Sequence, residues 1–183
     1  MLVRQKIQGT QLNSLRVTRI FILVMVVVAL LTGCKVYTFN GASIPGNVKT
    51  VRVQYIENKA RYQNNQLSPQ LTERLRQKIT SQTKLTQVNS EDADYDISGY
   101  ISQYDVSTSG ISNQQVATNR LTVAVNLILK DRKTPGAQER NISASRSFDF
   151  SATKTLTQAE RELNDEIIRN LTDEIFNKLF SNW

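Results

Sequence analysis

Hydrophobic residues recur along this chain in three rhythms: one unbroken run, several stretches that alternate with polar residues, and two that repeat every four positions. The unbroken run is Ile20–Leu31. Alternation begins at Val48–Ile56, with Val51, Val53 and Tyr55 on one side and Thr50, Arg52 and Gln54 on the other. A period of two predicts a half-buried strand. Glu57–Gln66 is polar and reads as a loop. Leu71, Leu75 and Ile79 then repeat every four residues, a helical stripe that Ser68 and Pro69 are suited to open as N-cap and first helical residue.

Leu85–Val88 is long enough for a short edge strand. In the next strand Tyr95, Ile97, Gly99 and Ile101 share one face, with acids and serine on the other. Leu121, Val123, Val125, Leu127 and Leu129 form the clearest alternation in the protein. Ile142, Ala144, Phe148 and Phe150 continue it beyond the Pro135-Gly136 turn dipeptide, so the two runs predict a hairpin. Arg146 falls in the core-facing register there, which calls either for snorkelling or for a bulge. Ser107–Asn119 is polar and uncharged, either a flexible hairpin tip or a continuation of two long strands past the core. The last stripe is Leu163, Ile167, Leu171, Ile175 and Leu179, widened by Ile168 and Phe176 and opened by a capping box at Thr157-Gln158-Ala159-Glu160. Phe180 and Trp183 lie beyond it, as a partner contact or as the end of the core.

Strands with two interspersed helices predict an α+β fold: a single mostly antiparallel sheet of about four to five strands, with two helices packed on one face. The first helix would join two parallel neighbouring strands.

The apolar run changes what this domain is attached to. It is twelve residues long, roughly 18 Å as a helix against a bilayer core of about 30 Å, too short to span. Arg4, Lys6, Arg16 and Arg19 precede it without an acidic residue, the layout of a secretory signal. Its end, Leu31-Thr32-Gly33-Cys34, resembles the lipobox of bacterial lipoproteins. That resemblance implies a diacylglyceryl thioether on Cys34, cleavage before it and N-acylation of the new terminus. Gly33 leaves the bond open to the peptidase, and only a thiolate makes the thioether. Cys34 is the single cysteine of the chain, so no internal disulfide competes for it. Several acyl chains, at about 0.8 kcal/mol per buried CH₂, make a lasting anchor. Lys35, where enterobacterial sorting reads Asp as inner-membrane retention, points to the outer membrane, facing the periplasm. The expected organisation is a cleaved signal over 1–33, a lipidated strand and tether over 34–47, with Lys35–Phe39 as the strand, and a periplasmic domain over 48–183.

Removing the signal also changes the charge. Four of the 23 basic residues and none of the 16 acidic ones lie in it, so the formal +7 falls to +3. A charge this small reads first as a solvated surface, with anionic lipid or phosphorylated saccharide as the partners it would suit. The chain contains no histidine, which removes the commonest general base and metal ligand. With Cys34 lipidated, a catalytic triad, a Cys–His pair and a zinc site are all excluded. The spacing of Asp92, Asp94 and Asp96 invites a calcium loop, but Ile97 and Gln103 stand where that loop needs glycine and an acid. No catalytic residue, metal or cofactor is expected beyond the covalent diacylglycerol and N-acyl lipid on Cys34.

Together the lipobox, the stretch Pro45-Gly46-Asn47-Val48-Lys49-Thr50-Val51, the strand Ala93-Asp94-Tyr95-Asp96-Ile97-Ser98-Gly99-Tyr100-Ile101 and the closing helix resemble the LptE family of LPS-assembly lipoproteins, in its Bacteroidetes-type form. The resemblance covers essentially the whole mature chain. It implies a non-enzymatic outer-membrane lipoprotein that plugs and helps assemble an LptD-like β-barrel and binds lipopolysaccharide, with no nucleic-acid partner. It transfers no binding residue one by one. Charge and position on the predicted hairpin nominate Arg120, Lys130, Arg132, Lys133, Arg140 and Arg146 as contacts for lipid A phosphates. A second reading is a structural lipoprotein of another envelope secretion or pilus-assembly machine. An enzyme is the third.

Overall fold

The computed structural model describes residues 44–112 and 115–181. The signal, Leu31, Thr32, Gly33, Cys34, the strand expected over Lys35–Phe39 and Trp183 lie outside them. In chain order the elements are β1 (Thr50–Val53), β2 (Glu57–Asn58), α1 (Leu67–Gln82), β3 (Thr86–Gln87), β4 (Tyr95–Ser112), β5 (Gln115–Asp131), β6 (Arg140–Ser151) and α2 (Leu156–Phe180).

The sheet order is β3-β1-β4-β5-β6, with β2 also beside β4. The fold is α+β as expected, but the sheet is mixed. Its long ladders, β4–β5 and β5–β6, are antiparallel. The short pairs β1–β3, β1–β4 and β2–β4 are parallel. The parallel half follows from α1, which returns the chain to the same end before β3 begins.

One face of the sheet supplies the core. Leu121, Val123, Val125, Leu127 and Leu129 are all buried, while Thr122, Ala124, Asn126 and Ile128 are not. Onto this face pack Leu71, Leu75 and Ile79 of α1 and Ile167, Leu171, Ile175 and Leu179 of α2. Phe180 closes that core rather than projecting from it. At the middle of β4 only glycine fits. A Cβ on Gly99 would lie 2.3 Å from the Asn126 carbonyl oxygen and 2.9 Å from Leu127 Cα.

Several local expectations are corrected. β1 stops at Val53, and Tyr55 turns out to solvent, 53% exposed. Ile56 enters the core instead, and its N–H donates to Thr72 Oγ1 of α1 at 3.1 Å. Ser68 does not cap α1. The N-cap is Gln66, without a side-chain hydrogen bond, and Ser68 is buried inside the first turn because Leu67 is already needed in the core. The capping box of α2 is Thr155 with Gln158, two residues before the expected one. Thr155 N–H donates to Gln158 Oε1 at 2.9 Å, and Gln158 N–H to Thr155 Oγ1 at 3.3 Å. Glu160 is otherwise engaged: Tyr104 Oη donates to it at 2.8 Å and Asn64 Nδ2 at 3.1 Å.

Ser107–Asn119 resolves as two strands running on past the core, since β4 and β5 pair there from Ser107↔Arg120 to Ser112↔Gln115. The β5–β6 register is unbroken, so β6 has no bulge and Arg146 snorkels. Its Nε lies 2.6 Å from Glu174 Oε2 of α2, an ion pair without hydrogen-bond alignment.

Candidate functional site

The β5–β6 connection and the end of β5 gather three of the six cations nominated from sequence, Lys130, Arg132 and Lys133. Asp131 ends β5 and turns the chain, its Oδ1 accepting the N–H groups of Lys133 at 2.8 Å and Thr134 at 3.1 Å. Gly136, at φ 74°, completes the return to β6. This connection lies at the sheet end where β1 and β4 begin, since Tyr95 faces Val51 on one side and Asp131 on the other. Ile44, Pro45 and Gly46, part of the stretch read as a tether, lie at this end beside Val48 and Lys49. We call it the tether end.

Two buried aspartates organise this end. Asp94 Oδ2 accepts the N–H groups of Lys49 at 2.7 Å and Thr50 at 3.0 Å, tying the start of β1 to β4. Its carboxyl is held down to about 2, chiefly by the Lys49 N–H, against the opposing effect of burial, with Thr50 and Lys133 adding to the fall. Lys133 Nζ lies 3.3 Å from Asp94 Oδ1. Asp96 accepts from Arg52 Nε at 3.1 Å, Gln54 Nε2 at 3.0 Å and an Arg132 guanidinium nitrogen at 3.2 Å. Burial pushes its pKa up, but those three donors outweigh it and the net shift is downward. The acids read onto the strand face opposite Tyr95 and Ile97 are thus buried, and basic neighbours make that tolerable. Among the described residues no cluster of acids suits a metal ion.

The six nominated cations do not converge. Lys130 pairs with Glu139 at 3.3 Å, both about half exposed. Arg132 and Lys133 neutralise Asp96 and Asp94 while staying 38% and 47% exposed, so they still face water. Arg140 donates to the Lys178 and Leu179 carbonyls at the C-terminus of α2. Arg146 belongs to Glu174. Arg120 lies at the opposite end of the sheet, bound through two nitrogens to Asp149 at 2.7 and 2.9 Å.

Sequence reasoning passed over two cations here. Lys49 and Lys84 meet no carboxylate among the described residues and line a cleft of 290 Å³ with Ile44, Pro45 and Val48. Lys49 stands at the start of the first alternating stretch and Lys84 follows the first helical stripe, so no local spacing joined them. Larger hollows lie elsewhere, among them these two. One of 680 Å³ runs between the helices, past Arg74, Asp165 and Arg169. The other, of 570 Å³, lies on the uncovered sheet face beside Tyr55, Tyr100, Asn126 and Ile128. Lys59 Nζ stands 5.1 Å from the centre of the Tyr100 ring.

The family model described as "LptE: Lipopolysaccharide-assembly" matches residues 48–179. The chain belongs to the LptE family. LptE proteins are envelope lipoproteins of lipopolysaccharide assembly rather than enzymes. No curated protein matches. Among solved structures, rare lipoprotein B from Shewanella oneidensis is 14% identical, over 71% of this chain and 91% of its own, with a TM-score of 0.45. Lipoprotein B from Nitrosomonas europaea is 14% identical, over 75% and 86%, at 0.41. The PelC dodecamer from Paraburkholderia phytofirmans is 12% identical, over 77% and 94%, at 0.44. Among the described residues, no helix of this LptE-family chain is long and apolar enough to cross a membrane.

Proposed function

We propose that this LptE-family chain, cleaved after Gly33 and lipidated on Cys34, is an outer-membrane, periplasm-facing subunit of the lipopolysaccharide translocon. It plugs and helps assemble an LptD-like β-barrel and assists insertion of lipopolysaccharide into the outer leaflet. The family match over residues 48–179 carries this reading. The lipobox ending Leu31-Thr32-Gly33-Cys34 supports the anchoring.

Lipid A phosphates would meet Lys130, Arg132 and Lys133 first, because these cations cluster on the β5–β6 connection and keep a third to a half of their side chains in water. Lys49 and Lys84, at the same sheet end, extend the positive surface toward the tether. Charge-assisted hydrogen bonds to phosphate then supply the contact. Arg140 and Arg146 are engaged with α2, and Arg120 is remote, so they contribute less.

Purification of the acylated protein from outer membranes in mild detergent, with partners identified by mass, tests the proposal. A roughly stoichiometric LPS-transport barrel is expected. A different envelope complex, or no stable partner, would overturn it. Lys130→Glu should then weaken binding of purified lipopolysaccharide at matched salt, and unchanged binding would remove the connection from the mechanism.

A further inference from the structure

Strand β4 changes neighbours along its length. Its outer side carries β1 at Tyr95–Ile97 and β2 at Tyr100–Ile101. From Ser102 to Gly110 no strand among the described residues pairs with that side, although the inner side stays on β5. The backbone groups left over can be named. Gln54 and Lys59 donate their N–H groups to the carbonyls of Ile97 and Ile101, so odd-numbered residues point outward there. The extra residue between Ile101 and Gln103 shifts that parity, which turns the outward N–H and C=O groups to Tyr104, Val106 and Thr108.

Sheet edges are normally blocked by lysine, proline, inward-pointing charge or a covering element. The other long edge, β6, is blocked in this way. Arg146 occupies a core-facing position, and Lys178 Nζ of α2 donates to the outward Ser143 carbonyl at 2.6 Å. The β4 edge reads Ser-Gln-Tyr-Asp-Val-Ser-Thr-Ser-Gly, with Asp105 as its single charge and neither proline nor a basic residue. Val106 stands on it 41% exposed.

We infer that the Asp105–Gly110 edge of β4 is a strand-addition site that takes an extended, largely uncharged segment of a protein partner as a further strand. Tyr104 is buried beneath Tyr62 and Asn64, so backbone hydrogen bonds to Val106 and Thr108 supply the attachment, and small hydroxyl side chains let the incoming strand approach. The identity of that partner rests on the function proposed above: the segment belongs to the translocon barrel.

One other occupant fits poorly. A second copy would have to dimerise through this short edge alone, where stable interfaces use about 20–30 residues a side.

The test uses the full lipidated chain, purified from outer membranes with its barrel. Val106→Pro and Thr108→Pro each delete one outward N–H and leave the β5 ladder its donors, a change edge strands tolerate. Each should lower barrel recovery at least fivefold, whereas Ser145→Pro, the equivalent change on the β6 edge, should leave it at the wild-type level. Undiminished recovery with Val106→Pro and Thr108→Pro, or an equal loss with Ser145→Pro, overturns the site. A photoreactive residue at Thr108 covers the case of poor folding: a cross-link to the barrel supports the site, and one to a second copy or to this chain's own N-terminal segment overturns it. If the wild-type chain itself retrieves no barrel, the proposed function fails first and takes this inference with it.

Discussion

The tether end of the sheet and the far end, where β4 and β5 run on past the core, use polar groups in opposite ways. At the tether end charge is dense and mostly engaged. Asp94 and Asp96 are buried, and between them they collect two backbone N–H groups, Arg52, Gln54, Arg132 and Lys133. At the far end the last paired residues of β4 and β5 are uncharged, and among the described residues no strand pairs with the outer side of β4. A parallel strand as short as β1 holds few ladder bonds, so side-chain carboxylates fasten it. The antiparallel ribbon has ladder bonds enough to extend without such fastening.

The largest effect should come from removing that fastening. Asp96→Ala strands Arg52 and Gln54 beside a hole and should cost about 3 kcal/mol in denaturant unfolding, the low end for breaking a buried pair because Arg132 stays in water. Gly99→Ala tests the seam between the two ends. Its Cβ would meet backbone at 2.3 Å, and the forced shift of β5 should cost about 2–3 kcal/mol by the same measurement.

Acid should act through the tether end. Asp94, Asp96 and Asp131 all titrate below their ordinary 3.8 in the folded chain. A depressed carboxyl stabilises fully above its unfolded pKa and loses that contribution as pH falls through the folded one. The melting temperature should therefore hold from pH 7 to about 5 and fall between about 4 and 2. Asp94→Asn should flatten that fall; an unchanged slope would show that Asp94 is not its source.

Smaller changes are expected at the far end. Tyr104→Phe removes one buried hydroxyl that donates to Glu160 and should cost about 1 kcal/mol. Arg120→Ala breaks only a solvent-exposed pair with Asp149 and should leave the unfolding midpoint unchanged within error. A large loss with Arg120→Ala would mean that the far end is fastened by charge after all, and the contrast would fail.

Much of this was legible along the chain wherever one repeating pattern controlled a whole element. Leu121–Leu129 alternates without a break and is buried as read. The stripes of both helices are likewise in the core. Reading failed where two residues competed for one role. Ser68 is a good cap by type, but Leu67 had to be buried first. Thr157 with Glu160 matches a capping box as well as Thr155 with Gln158 does, yet Tyr104 and Asn64 occupy Glu160. Of the nominated cations, Lys130, Arg132 and Lys133 share one connection, while Arg120 lies at the other end because a hairpin places its first and last residues far from its turn.

Alone, the sequence determined the periodic elements and the absence of histidine, because each depends on residue type and local spacing. The tertiary structure decided what depends on contacts across the chain. It paired β1 in parallel with β4 through residues more than forty positions apart, and it placed Asp94 and Asp96 in a basic setting that makes burial tolerable. Among the described residues it also left the outer side of β4 without a strand beyond Ile101, because a strand's neighbours are set by how the whole chain returns to the sheet.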